Sequence, residues 1–467
     1  MADIIADHGH NVTLFQPFHN AMKNTEGLLK NKNIQIINFY PDHYEELKNL
    51  ETKSFPGFWD SHLMNNPILQ TFMMPRTLAG QFERTAVQLL KDKKTLEDLR
   101  SRKFDVMIAE TFEITGFYIA DLLGIPCIPV MSAVRFHVFN ELFGQPSVLG
   151  YIPHIGSKSA PEAGFFDRVN DVCRNYLMMV LMNRMSNLQQ TFIQGALGNP
   201  VPDWRDLIKQ SPIYITNSNP YLDYAVPTTA TIVHAGGITM DMKKMKHVGK
   251  LPEEYVPILE ERDSTVLISF GSVIRSFQMP NNFKAGLIKM FESLPNKWVP
   301  QPALLADKRV KLFVTHGGLG SIMEVAYSGK PAVVIPIFGD QHQNAYMLAR
   351  HGGAVTYDKF DLADGDKLTK TVKEMVENSK YGEKAKELLE ILSNQPIDPK
   401  LNLMNHLELF PKLRSQVPTI NNVGLIAHYY LDAFAFLVLA GAMAVYGVYR
   451  IIRKVLILLV QKKTKSD

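Results

Sequence analysis

Cysteine is nearly missing from this chain: Cys127 and Cys173 are the only two among 467 residues. A disulfide framework is therefore excluded as the source of stability, and two cysteines so far apart do not specify a bridge. Neither a C-x-x-C pair nor a Cys/His cluster with ligand spacing occurs, so nothing calls for a metal. Cys127 sits in the apolar run Ile125–Val130, the setting of a buried free thiol. A dominant charge is lacking too. Fifty basic residues face 46 acidic ones, a net +4, and the basic residues have no interleaved aromatics, which argues against nucleic acid. The amino terminus, Met1–Asp7, has neither the basic start nor the apolar stretch of a secretory signal. Low-complexity tracts and short solenoid periods are absent as well.

What is present suffices for two ordinary cores. The chain is 46% hydrophobic and 21% charged. Its length predicts two domains of roughly 200 residues each. In the first half, strands at Asn11–Pro17, Ile34–Tyr40, Phe104–Glu110 and Pro126–Ser132 alternate with helices. The helices are read within Ser61–Ser101, at Thr115–Leu123 before Gly124, and from about Ala163 to Leu197. Short strands follow at Ile213–Thr216 and Ile232–Ala235, then Pro227 and the polar stretch Asp241–Glu261 mark a passage between domains. The second half restarts the pattern: strand Thr265–Ser272, helix Asn282–Leu294, strand Val310–Thr315, helix Ser321–Ser328, strand Ala332–Ile337, helix Gln341–Arg350. This alternation predicts two doubly wound α/β halves with a ligand at the carboxyl ends of the strands.

One long hydrophobic run stands apart. Ala433–Tyr449 carries no charge and approaches the ~20 residues that span a bilayer as a helix. Tyr429, Tyr430 and Tyr449 suit its interfaces, and Arg450, Arg453, Lys454, Lys462, Lys463 and Lys465 follow on one side only. The positive-inside bias places that tail in the cytosol. A buried soluble helix is the weaker reading, because it leaves the basic flank unexplained.

The richest segment is Val310–Glu324. An apolar strand ends at Thr315, three glycines (Gly317, Gly318 and Gly320) relax the backbone, and a helix begins near Ser321. Such a junction aims free amide N–H groups and the positive helix end at one point, which makes an anion site. His316 adds a donor, and Glu324 can accept from the vicinal hydroxyls of a ribose. A glycine turn alone would be a weak signal, but two flanking segments strengthen it. Upstream, Trp298-Val-Pro-Gln301 offers an aromatic plane and an amide suited to a base. Downstream, Phe338–Asn344 places Asp340 and Gln341 after a strand, where they could hold sugar hydroxyls.

This ordered set, with Asp7–Thr13, Phe104–Glu110, Ile268–Ser272 and the basic tail, closely resembles the UDP-glycosyltransferase family over nearly the whole chain, and more narrowly its animal UDP-glucuronosyltransferase branch. The resemblance implies a GT-B fold. An acceptor-binding Rossmann-like domain over 1–235 would face a UDP-sugar-binding one over 236–415, followed by a transmembrane helix and cytosolic tail over 416–467. It implies that Trp298 stacks on uracil and Gln301 contacts base or ribose. His316, Gly317, Gly318, Gly320 and Ser321 would hold the diphosphate with Ser272 opposite, Glu324 the ribose, and Asp340 with Gln341 the transferred sugar. It further implies inversion by direct displacement without metal or cofactor. The expected partners are UDP-glucuronate or UDP-glucose, a small lipophilic acceptor and the membrane, with an oligomer open and nucleic acid not expected. The expected location is the endoplasmic-reticulum membrane with the catalytic mass lumenal. Lys463 and Lys465 read equally as a retrieval signal or a plain basic flank.

Several residues carry a blander reading beside the functional one. Glu110 stands where the family has an aspartate that orients the catalytic histidine, and an ordinary strand-end acid is as well supported. His8 and His10 lie in a turn and read as structural. Asn11-Val-Thr13 has the form of a glycosylation site but enters a strand. Asp364-Gly-Asp366 mimics a metal-binding D-x-D and reads as a solvated loop. The chain also departs from the family twice. It begins inside the helix that follows the strand and loop supplying the histidine base, so both are outside it. At Leu294–Trp298 a helix runs into the tryptophan motif where a return strand is expected. A truncated or exon-skipped form of an active enzyme, or an incorrect gene model, would produce both departures. A non-catalytic homologue that still binds UDP is thus a rival to the enzyme.

Overall fold

The computed structural model describes residues 1–18, 29–46, 59, 67–133, 137–145, 164–240, 256–260, 265–271, 276–293, 304–416 and 431–463. Trp298, Gln301 and Ser272 lie outside the described residues, as does most of the expected interdomain stretch 241–261. The chain divides into two units, Met1–Pro418 and Thr419–Asp467.

Among the described residues, the first unit contains three parallel sheets. In the amino-terminal half, β1 (Thr13–Pro17) pairs with β2 (Gln35–Phe39), while β3 (Met107–Glu110), β4 (Cys127–Met131), β5 (Tyr214–Thr216) and β6 (Ile232–His234) form a separate sheet in that order. Between β3 and β4 runs α1 (Thr115–Leu123), closed by Gly124 in the left-handed conformation, φ +69°. A Cβ on Gly116 would stand 2.8 Å from Cβ of Ala109, so this helix lies directly on β3. Two long helices, α2 (Pro67–Lys91) and α3 (Phe165–Leu197), pack along each other. Cys127 is partly buried and its thiol is pushed up to about 12 by desolvation, which makes it inert as a nucleophile.

The carboxyl-terminal half carries β7 (Thr265–Ser269), β8 (Val310–Thr315), β9 (Ala332–Val334) and β10 (Ala354–Thr356) in the order β10-β9-β8-β7. Val310, Leu312, Phe313 and Val314 are fully buried, which is why β8 reads as an apolar run, broken only by the exposed Lys311, rather than an alternating one. Helix α4 (Asn281–Ser293) follows β7, α5 (Leu319–Ser328) follows β8, and α6 (Gln341–Ala349) follows β9. β9 is shorter than the expected Ala332–Ile337. The last ladder bond runs from Ile335 N–H to the Thr315 carbonyl at 2.7 Å, and two residues on Ile337 N–H turns to the Gln341 side chain instead. α5 begins at Leu319, two residues before the expected Ser321, with Gly318 as its N-cap.

Three further helices, α7 (Gly365–Glu377), α8 (Ser379–Ser393) and α9 (Pro399–Gln416), complete the unit. α9 returns to the amino-terminal half. Its Leu403 and Phe410 are buried with Ile128, Ile213, Ile215 and Val233, Asn402 Nδ2 donates to the His234 carbonyl at 3.3 Å, and Glu408 meets His10 at 3.1 Å. His10 is thus a structural partner of α9. Trp59 crosses the other way: fully buried, it sits edge-on to Phe270 at 5.4 Å within the second half's core.

The second unit holds α10 (Leu431–Lys463), whose stretch Leu431–Lys454 has a mean hydropathy of 1.9 and is long and apolar enough to cross a membrane.

Candidate functional site

Two glycines and a histidine define the centre of the site. His316 follows β8, with Gly271 beyond the end of β7 on one side and Gly318 on the other. A Cβ on Gly271 would lie 2.6 Å from His316 Cε1, and one on Gly318 would lie 2.6 Å from Nε2. Real Cβ atoms do not approach so closely, so both positions need glycine for the imidazole to fit between them. Gly271 needs it twice, because its φ is +74°.

Burial drives the His316 pKa down to about 4, against a hydrogen bond to the Ser269 backbone that works in the opposite direction. The ring is therefore neutral at pH 7. Its Nδ1 is buried without a hydrogen-bond partner, while Nε2 is the ring nitrogen nearer the helix start.

The turn behind the histidine is equally constrained. Gly317 has φ +86°, and a Cβ there would meet Val334 Cγ1 at 2.8 Å. Its carbonyl accepts from Asn344 Nδ2 at 3.0 Å. Helix α5 then starts with Ile322 N–H donating to the Gly318 carbonyl. The first-turn amides of Leu319 and Gly320 precede that bond, so no intrahelical carbonyl is there to take them. Gly320 is exposed and has open space where a side chain would stand. Those amides, the helix's positive end and a neutral imidazole converge. This is the chemistry of a site for a diffuse anion such as a diphosphate. Glu324 stands one turn further along α5 on a partly exposed position.

A second loop is tied to the first. Asp340 is the N-cap of α6, and Asn344, fully buried, donates from the same Nδ2 to Gly317 O and, at 2.9 Å, to Asp340 Oδ2. Burial raises the Asp340 carboxyl above its ordinary range, and the Asn344 bond opposes that. Gln341 is also buried: its Oε1 accepts from Ile337 N–H at 2.8 Å and Phe338 N–H at 3.2 Å, which makes it a brace for the loop it ends. The loop's tip, Gly339, has φ +62°.

The structure therefore brings His316, Gly317, Gly318, Gly320, Ser321, Glu324, Asp340 and Gln341 together on the ends of β8 and β9. Glu110 belongs to the other half, at the end of β3, where Oε2 accepts from Ser132 N–H at 2.9 Å and Oε1 from Phe112 N–H at 3.3 Å. The tempting Asp364 and Asp366 have structural duties. Asp364 caps α7 by accepting from Lys367 N–H at 3.0 Å, a helix start rather than a solvated loop, and Asp366 pairs with Lys289 at 2.5 Å. Sequence reasoning missed Gly271 and Asn344. Asn344 carries a signal, since it stands one turn after Asp340 on the same helix face. Gly271 carries none, because its contact is made only when β7 and β8 pair.

A family described as "UDP-glucoronosyl and UDP-glucosyl transferase" matches residues 1–297 and 291–466. The two matched segments overlap over residues 291–297, at the Leu294–Trp298 join singled out in the sequence. Human UDP-glucuronosyltransferase 3A2 is 28% identical over 94% of this chain and 86% of its own length. Rat 2-hydroxyacylsphingosine 1-beta-galactosyltransferase is 24% identical over 83% and 74%. Among solved structures, Os79 of O. sativa in complex with UDP aligns with a TM-score of 0.54 at 16% identity, covering 88% of this chain and 95% of that one. Medicago truncatula UGT71G1 complexed with UDP-glucose aligns with a TM-score of 0.52 at 17% identity, covering 88% and 94%. The fold is GT-B: two α/β halves with parallel sheets, as the strand alternation led one to expect.

Proposed function

We propose, since the chain belongs to the UDP-glucuronosyl and UDP-glucosyl transferase family, that it binds a UDP-sugar at the β8–α5 junction and transfers the sugar, with inversion, to a hydroxyl of a small lipophilic acceptor. The observation that carries this reading is the His316 imidazole held between Gly271 and Gly318 at the open start of α5. In the transfer, the acceptor oxygen attacks the anomeric carbon while the bond to the diphosphate breaks, and charge grows on departing UDP. Oriented amides and a neutral N–H donor stabilise such charge without a metal, because their dipoles are fixed before it develops. Glu324 is assigned to the ribose, Asp340 and Gln341 to the sugar, and Trp298, Gln301 and Ser272 to base and phosphate.

Glucuronate is the expected sugar. UDP-glucose is the alternative, and the relatives, named for glucuronosyl and galactosyl transfer, show that one scaffold serves several sugars. Calorimetry with UDP tests the site: His316→Ala should weaken binding at least tenfold, about 1.4 kcal/mol, and unchanged affinity would mean the diphosphate is misplaced.

A second reading, a UDP-binding homologue without turnover, is favoured by Glu110. Both of its oxygens accept backbone amides, whereas an orienting acid would hold a histidine. Labelled UDP-sugars with a phenolic acceptor separate the two: turnover supports the enzyme, binding without turnover the homologue. We assign Leu431–Lys454 to a single pass of the endoplasmic-reticulum membrane with the catalytic mass lumenal. Protease protection of the first unit in sealed microsomes tests this, and digestion without detergent would reverse it.

A further inference from the structure

The loop that carries Asp340 is anchored from below by a buried cation. Lys359 opens the turn Lys359–Ala363 after β10 and is only 3% exposed. Its Nζ donates to the carbonyl of Ile337 at 3.0 Å. The N–H of the same Ile337 donates to Gln341 Oε1 at 2.8 Å. Both backbone polar groups at the root of the loop are thus held, one by a ligand-site residue and one by a lysine from a different element.

The lysine itself is well seated. Asp358 caps its turn by accepting from Phe360 N–H at 3.0 Å, Nζ lies 5.2 Å from the Phe360 ring, and Phe360 stacks edge-on against Phe283 at 6.3 Å. Burying an ammonium is costly unless it is hydrogen-bonded, and a methionine would fill the same space without that cost. What lysine adds is a directed bond to one carbonyl. Gly339, with φ +62° and open space where a Cβ would stand, leaves the tip of the loop unbraced by any side chain of its own. The position of Asp340 therefore depends on how firmly the root is held as well as on its bond from Asn344.

We propose that Lys359 is a positioning residue for the donor sugar: through Ile337 it fixes the loop that presents Asp340 and Gln341, while the diphosphate cradle on β8 and α5 is left untouched. This rests on the reading of Asp340 and Gln341 as the sugar contacts. The test is calorimetric titration of the full chain in detergent with UDP and, separately, with UDP-glucuronate and UDP-glucose. Lys359→Met should keep UDP affinity within about twofold and weaken the UDP-sugars about tenfold. Lys359→Arg, which keeps a donor but displaces it, should fall between. Parallel loss for UDP and UDP-sugar, or no loss for either, would overturn the inference while leaving the UDP site standing. Absence of UDP binding in the unmodified chain would instead remove the functional reading on which the inference rests. Should Lys359→Met fail to fold, Lys359→Arg carries the same comparison.

Discussion

At the scale of single residues, the account turns on how tightly His316 is confined. Gly318→Ala introduces a Cβ 2.6 Å from the ring at an unstrained φ, so its cost falls on the histidine rather than on the backbone. UDP affinity should drop about tenfold with the fold retained, a change on the order of 1.4 kcal/mol measurable by calorimetry. Gly271→Ala adds a left-handed φ to the same clash and should lower stability by about 1–3 kcal/mol in denaturant titration. The histidine also makes a pH prediction. Its ordinary pKa of 6.5 applies when unfolded and about 4 when folded, so below pH 6.5 the unfolded chain binds a proton that the folded chain refuses. The contribution of the neutral ring is complete above that value and is lost as pH falls toward 4. Between pH 7 and pH 4.5, unmodified protein should lose on the order of 2 kcal/mol more than His316→Asn. Equal losses would show that the ring is not buried.

At the scale of elements, Asn344 bridges the β8–α5 and β9–α6 junctions. Asn344→Ala leaves the Gly317 carbonyl and the Asp340 carboxyl each without this donor. It should cost about 1–3 kcal/mol in unfolding free energy and weaken UDP-sugar binding together with it. Loss of stability with affinity unchanged would separate the two junctions.

Much of this scale was legible in advance. β8, its glycine turn and the following helix show plainly in the sequence because an apolar strand, relaxed backbone and helix start are local features. Gly124 ends its helix as a left-handed cap for the same local reason. The bracing roles were hidden because they depend on distant pairings. Gln341 reads as a polar group free for ligand, yet its carbonyl oxygen holds the loop's own amides. Lys359 is buried, which no local pattern around it announces. Asp364 mimics a metal motif, yet it caps a helix.

At the scale of the first unit, the two halves are joined by contacts that no local pattern reveals. Tyr327 from α5 receives Asn219 Nδ2 at 3.1 Å and Gln395 Nε2 at 3.4 Å, and a Cβ on Gly237 would stand 2.3 Å from its hydroxyl. Arg350 donates to the Leu222 and Asp223 carbonyls and faces the Tyr224 ring at 5.3 Å, with His351 on the same Leu222 carbonyl. Gly237→Ala should therefore separate the unfolding of the halves into two transitions in scanning calorimetry. Tyr327→Phe, which removes only the hydroxyl, should lower stability by about 1 kcal/mol in a single transition. The carboxyl-terminal strap matters in the same way: Phe410→Ala should cost about 3–5 kcal/mol, because its ring completes the core of the amino-terminal half.

A structure of the chain with UDP-glucuronate bound addresses the central claim most directly. The account predicts diphosphate oxygens within hydrogen-bonding distance of the His316 ring and the first-turn amides of α5, with the sugar turned toward Asp340. A nucleotide bound anywhere else, with the His316–Ser321 turn closed against β7, would contradict it.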